Sequence, residues 1–308
     1  MSRSLILLMM GILVAGCAPP STIPIAGYVD LQNLQTLPTP AEYDALPLRV
    51  AIAAVISPQG TAESYAALLD YLQEELHRPI ERVQRRTYAE VNDLLRRGEV
   101  DLAFVCTSSY LIGNREFGLE LLAAPQVKGK TTYQAKIIVR KDSSIETTED
   151  LRGKVFAFTD PVSFTGRVYP TYLLGEIGEK PEHLFSRTFF TYSHDDAIRA
   201  VATGLADGAS VDSLVLDFAL KREPDLRNRL RVIHTSPQFG MPPVVASPGI
   251  RPQLRAELQR ILLEMHMDPA GLAALQALDY DRFVEVSSAD YLSAQEVETR
   301  VNSFENQP

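Results

Sequence analysis

The sequence predicts an α/β protein of two lobes, each a mainly parallel sheet flanked by helices, joined by a two-stranded hinge. Two observations predict it. From Leu48 to Leu230, apolar runs of strand length alternate with segments whose apolar residues recur at helical spacing, the pattern of successive βα units. Two passages, residues 133–154 and 236–250, break that alternation with polar or Pro/Gly-rich stretches around a short apolar run. A chain that crosses into an inserted lobe and returns from it produces two such breaks, and no internal repeat offers another explanation.

Taken in order, Leu48–Ile56 is an uninterrupted apolar strand. Residues 61–77 form a helix with Tyr65, Leu68, Leu69, Leu72 and Leu76 on one face. Strand 80–84, helix 89–97, stopped by Gly98, and strand 102–106 follow. Residues 133–141 read as one long strand leading into the loop and short helix of DSSIETTEDLRGK. Strand 154–158 precedes TDPVSFTGR and a helix, and strand 188–192 precedes a helix opened by Ser193. The part beyond residue 251 reads as helices, 252–267, 269–278 and 289–303. The first lobe is expected to comprise 48–136 and 243–303, the second 137–242.

Residues 1–17, MSRSLILLMMGILVAGC, carry one basic residue and an apolar core too short to span a bilayer, and end in a lipoprotein box, LVAGC. The reading is a signal peptide over 1–16, lipidation at Cys17 and a tether over 17–46, rich in Pro, Thr and Gln, which places the chain on the periplasmic or cell-surface face of a bacterial membrane. Removal of 1–16 takes Arg3 from the 30 basic residues and leaves 29 against 39 acidic, a net charge of −10. That balance argues against nucleic acid and anionic membrane as partners. It does not oppose a small anion held by local dipoles. With Cys17 lipidated, Cys106 is the remaining thiol, so no disulfide framework is expected.

Three segments lie where a strand hands over to a helix, the binding edge of an α/β sheet. They are Cys106-Thr107-Ser108-Ser109-Tyr110, Ser163-Phe164-Thr165-Gly166 and Ser193-His194-Asp195-Asp196. Each could cap its helix, or offer hydroxyls and free N–H groups to an anion. Ser163 and Thr165 exceed the needs of one cap, Gly166 would let a ligand approach the backbone, and Pro170 predicts a turn unlike a plain helix start. His194, at the first helical position, is expected to be a neutral ring donating one N–H. Recognised nucleophile, phosphate-loop, dinucleotide and zinc motifs are missing and the five histidines lack metal-ligand spacing, so neither an enzyme, a cofactor nor a metal is expected. Leader, tether and two lobes describe an extracytoplasmic solute-binding protein.

The stretches DLAFVCTSSY, TDPVSFTGRVYP, YSHDDAIRAVATGLADGASVD and SPGI resemble the phosphate/phosphite/phosphonate substrate-binding family of ABC transporters, over roughly residues 48–290. TDPVSFTG, matching the family's D-P-x-S-x-[ST]-G, is the most specific. The resemblance implies a type II periplasmic-binding fold that closes on a small phosphorus oxyanion and delivers it, as a monomer, to a permease and its ATPase. It implies that Ser163 and Thr165 hold the oxyanion, that His194 donates to it, and that Tyr88 is the aromatic of the first lobe, where the strand-end reading adds Thr107, Ser108 and Tyr110. The acids that family members use for an amine fall near Leu214 and Met241, with Asp212 the nearest carboxylate, so a simple oxyanion fits better than an aminoalkyl phosphonate. Some relatives resemble arsenite sensors that use one cysteine at this strand end. Cys106 therefore carries the alternative of an arsenite-binding partner of a membrane histidine kinase, since a soft thiolate suits trivalent arsenic; a small buried core residue is the plainer possibility.

Overall fold

The computed structural model describes residues 46–53, 55 and 58–305. The signal peptide, Cys17 and nearly all of the tether lie outside the described residues. The first sheet is built from β1 (Leu48–Ile52), β2 (Ile80–Val83), β3 (Leu102–Phe104) and β4 (Glu120–Gln126), with α1 (Pro58–Glu75), α2 (Tyr88–Arg96) and α3 (Thr107–Phe117) between them. The chain crosses through β5 (Thr132–Tyr133) into β6 (Ala135–Arg140), β7 (Val155–Phe158), α4 (Tyr169–Gly175), α5 (Pro181–Leu184), β8 (Arg187–Phe190), α6 (His194–Ala202), β9 (Gly208–Asp212), α7 (Ser213–Arg222), α8 (Leu226–Arg229) and β10 (Leu230–Thr235). It returns through β11 (Phe239–Gly240) to β12 (Val244–Ala246), α9 (Pro252–Glu264), α10 (Pro269–Ala277), β13 (Arg282–Val284) and α11 (Leu292–Glu305).

The sheets are ordered β13-β4-β12-β3-β1-β2 and β10-β6-β9-β7-β8, and β5 pairs with β11 as the expected two-stranded hinge. One detail needs correction: the sheets are mixed rather than mainly parallel. Three of five pairings in the first sheet and two of four in the second are antiparallel. The βα steps make the parallel cores, β2-β1-β3 and β8-β7-β9. Strands next to the hinge crossings, such as β6 and β12, do not arrive by a right-handed crossover helix and are free to run antiparallel.

Both sheets are covered on both faces, which is why their strands read as continuous apolar runs. In β1, Leu48, Val50 and Ile52 face α1, α9 and α10, while Ala51 faces the cluster of α2 and α3. The expected long strand 133–141 is broken at Gln134, where Gln134 N–H donates to Ser213 Oγ and Ala135 N–H to Ser236 Oγ instead of to a sheet neighbour. The C-terminal segment is not all helix, because Arg282–Val284 pairs with β4. Phe283 is the apolar residue that this edge strand buries, too short a signal to stand out between helices. α11 lies against both α3 and α4, and Arg300 pairs with Glu176.

Candidate functional site

The lobes meet where β3 and β7 end. Tyr88 N–H, at the start of α2, donates to Asp160 Oδ2 at 3.1 Å, and His194 N–H, at the start of α6, donates to the Val55 carbonyl at 2.9 Å. Arg86 stacks over Tyr192, which holds a left-handed φ of 62° on entry to α6. Ion pairs Glu63–Arg222, Lys128–Asp217 and Asp279–Lys221 span the same cleft further out.

The TDPVSFTG loop is shaped by its own side chains. Asp160 Oδ1 accepts from Val162 N–H at 2.8 Å, and Ser163 Oγ accepts from Gly166 N–H at 3.1 Å. Phe164–Val168 then forms a π turn, closed by Tyr169 N–H on the Phe164 carbonyl. Pro170 accounts for the irregularity expected of it: lacking an N–H, it leaves the Gly166 carbonyl free to accept from Thr159 N–H at 3.3 Å. Ser163 is thus a cap, but its hydroxyl proton stays available to a second partner. Gly166 is needed for a different reason than ligand approach. A Cβ there would stand 1.7 Å from Thr159 Oγ1, so the glycine accommodates the end of β7. Thr165 is buried and its carbonyl accepts from Ser210 Oγ at 2.6 Å.

His194 is the most constrained donor. Its Nδ1 accepts from Asp212 N–H at 3.0 Å, and its Nε2 lies 3.5 Å from Ser163 Oγ. Burial pushes the ring's pKa down to about 3, against a small opposing pull from Asp195. A neutral ring whose Nδ1 is an acceptor carries its proton on Nε2. The donor expected at this position therefore points at Ser163, although burial rather than the helix dipole is the main cause of its neutrality. At 3.5 Å the two groups barely bond to each other, so both can serve one acceptor between them.

Cys106 occupies the junction itself. It is the N-cap of α3, and its sulfur accepts from Phe164 N–H of the other lobe at 3.3 Å, while the thiol reaches the Val162 carbonyl at 3.8 Å. Burial pushes its pKa up to about 12, although the N–H groups of Phe164, Ser109 and Ser108 pull the other way. It is a neutral thiol bridging the lobes, which is more than a small core residue does. Tyr88 and Tyr133 hydroxyls lie in its electrostatic neighbourhood, both raised well above the usual phenol range by burial. Among the described residues, the Tyr88 hydroxyl and Thr159 Oγ1 are buried without a hydrogen-bond partner.

The other first-lobe hydroxyls do something else. None of Thr107, Ser108 and Ser109 is the cap of α3, since the helix begins after Cys106. Thr107 accepts from Tyr133 at 2.9 Å and donates to the Gly240 carbonyl at 3.1 Å, tying α3 to the hinge. Ser108 faces the buried Glu298 carboxyl without a well-formed bond to it. Tyr110 of α3 packs on Tyr291, the residue before α11, with ring centroids 4.8 Å apart. Asp212 caps α7 through Leu214 N–H at 2.7 Å, and burial pushes its carboxyl up to about 7. The reading of the sequence missed Asp160, Thr159 and Tyr133. Asp160 had a visible signal as the acid of the most specific motif; Tyr133 reads as any strand aromatic until the hinge brings it to Thr107.

The cluster that results is Tyr88, Cys106, Thr159, Ser163 and His194, with Thr165 on the same π turn: neutral groups at helix starts and at the end of β7, shared by two lobes. The family model for the periplasmic substrate-binding protein of phosphonate ABC transporters matches residues 50–291. The chain is similar to a phosphate-import protein, PhnD, of Mycolicibacterium smegmatis, with 24% identity over 72% of this chain and 73% of the relative. Among solved structures it is similar to the binding component of an ABC phosphonate transporter of Pseudomonas aeruginosa (TM-score 0.80, 20% identity, 84% and 88% of the two chains). It is also similar to PhnD1 of Prochlorococcus marinus in complex with methylphosphonate (TM-score 0.75, 19% identity, 83% and 98%). At these identities the structures attest to the fold.

Proposed function

The chain belongs to the family of periplasmic substrate-binding proteins of phosphonate ABC transporters, a family of transport proteins and not of enzymes, and from that premise we propose that it captures a small phosphorus oxyanion between its lobes and delivers it to an ABC permease with its ATPase. The observation that carries the reading is His194, locked by Asp212 N–H into the tautomer whose Nε2–H points at Ser163. A tetrahedral oxyanion needs several donors and few acceptors. His194, Ser163, Thr165 and the Tyr88 hydroxyl, which has no partner among the described residues, supply them without a full positive charge. The mechanism is closure: ligand contacts made only when both lobes reach the oxyanion shift the equilibrium toward the closed form, in which Tyr88 N–H also meets Asp160.

Calorimetry with phosphite, phosphate and methylphosphonate tests this. Ser163→Ala removes one donor to a charged oxygen, worth about 1.5–3 kcal/mol, so affinity should fall roughly tenfold or more while the protein stays folded. Unchanged affinity in the variant would leave Ser163 as a cap alone.

The anchor belongs to the same reading. In the bacterial host, Cys17→Ser should stop fatty-acid labelling and leave precursor or shed protein. Labelling and membrane fractionation that persist in the variant would defeat the lipoprotein assignment.

A second reading is favoured by Cys106, whose thiol sits where the lobes join and beside the Tyr88 hydroxyl. Arsenite could condense there: an As–S bond forms, and the thiol proton leaves with one arsenite hydroxyl as water. The chain would then signal to a membrane histidine kinase instead of feeding a permease. Cys106→Ala decides. On the transport reading, phosphite binding survives the loss of a weak N–H···S contact, and neither protein binds arsenite. Arsenite bound by the wild type and lost in the variant, with no phosphorus ligand bound by either, favours the sensor.

A further inference from the structure

Next to the donor cluster lies a cavity of about 80 Å³ between the lobes. The first lobe contributes Tyr65, Phe104 and Phe283 to its wall, the second Leu214, Val215 and Phe218. Asp212 belongs to both places: its main-chain N–H holds His194 Nδ1, and its side chain lines the cavity. The Tyr65 and Tyr280 hydroxyls, 3.5 Å apart, line it as well, as does Ser64, and both phenols feel the Asp212 carboxyl.

We infer that this cavity receives an organic substituent on the bound phosphorus, a short alkyl chain, so that the protein prefers an alkylphosphonate of two or three carbons to phosphate or phosphite. The inference rests on the reading of His194 and Ser163 as oxyanion donors.

Size comes first. A cavity of roughly 150 Å³ lined by apolar side chains takes benzene, so 80 Å³ suits a group of about half that bulk. Charge comes second. Among the described residues the wall holds no Lys, Arg or His, and Asp212 is its one carboxyl. Burial pushes that carboxyl up to about 7 and so disfavours its charge, and no cation on the described wall would balance an anionic substituent. Rigidity comes third. Phe104 stands edge-on to Tyr65 at 5.2 Å and packs tilted against Phe283 at 6.3 Å, so the first-lobe wall is preformed. Because the two lobes share the wall, an alkyl group filling it makes contacts found only in the closed form. Phosphate or phosphite would leave those contacts unmade.

The test is a calorimetric ladder on the full-length chain with phosphite, methyl-, ethyl- and propylphosphonate, and 2-aminoethylphosphonate beside them. Each buried methylene should tighten binding by about fourfold as far as propyl, and the ammonium compound should bind more weakly than ethylphosphonate. Ser64→Leu fills the cavity from the first lobe and Val215→Phe from the second; in each, the propyl-to-methyl affinity ratio should fall toward one. A flat or descending ladder in the wild type overturns the inference, as does an unchanged ratio in both folded variants. Tightest binding of 2-aminoethylphosphonate overturns it too, making Asp212 an ammonium partner. Phosphite bound on a flat ladder sinks the cavity inference alone; no phosphorus ligand bound at all sinks the oxyanion reading and the inference with it.

Discussion

Replacing His194 with asparagine is expected to weaken methylphosphonate binding by roughly ten- to a hundredfold, with little loss of thermal stability. The ring does two jobs through opposite nitrogens. Nδ1 accepts the buried Asp212 N–H, and Nε2–H faces Ser163. Asparagine can supply an acceptor near the Nδ1 position, so the Asp212 N–H need not be left unpaired. It does not reach the Nε2 position, so the donor to the oxyanion is lost, at about 1.5–3 kcal/mol. His194→Ala removes both and should add a stability cost of about 1–3 kcal/mol for the orphaned buried N–H. Calorimetry and a thermal melt on the two variants separate the roles. Asparagine that binds like wild type would show that Nε2–H contacts no ligand. Asparagine that melts as low as alanine would show that it does not replace the Nδ1 acceptor.

Gly166→Ala should be as damaging, through packing. The added Cβ would meet Thr159 Oγ1 at 1.7 Å and the Thr159 Cβ at 2.7 Å. Thr159 is fully buried at the end of β7, and its N–H is held by the Gly166 carbonyl, so neither side can yield without moving the π turn. Overpacking of this severity costs about 3 kcal/mol, a fall in Tm on the order of 5–10 °C. Because Ser163 Oγ is held by Gly166 N–H, the displaced turn should also lose most of its oxyanion affinity. Thr159→Ala in the same chain removes the Oγ1 clash and should recover part of the Tm. A Gly166→Ala protein with wild-type Tm and affinity would refute the packing argument.

The sequence by itself determined the α/β class, the two lobes and the two crossings. Those depend on local periodicity and on where it fails, as in the polar stretch DSSIETTEDLRGK and in the Pro/Gly-rich return to Val244. It also determined the three helix starts, because Ser163, Ser193 and their followers carry capping chemistry within a few residues of an apolar strand. Pro170 announced an irregular turn for a reason internal to proline. Only the tertiary structure decided what each of those polar groups does. Thr107 and Tyr110 look as available as Ser163 in the sequence, yet Thr107 is spent on Tyr133 and Gly240 and Tyr110 on Tyr291. Gly166 faces Thr159, and Asp160 reaches the start of α2 in the other lobe. The antiparallel share of both sheets and the His194 tautomer were likewise invisible. Strand direction after a crossing, and the partner of a ring nitrogen, depend on residues far away in the chain, and local propensity carries no record of them.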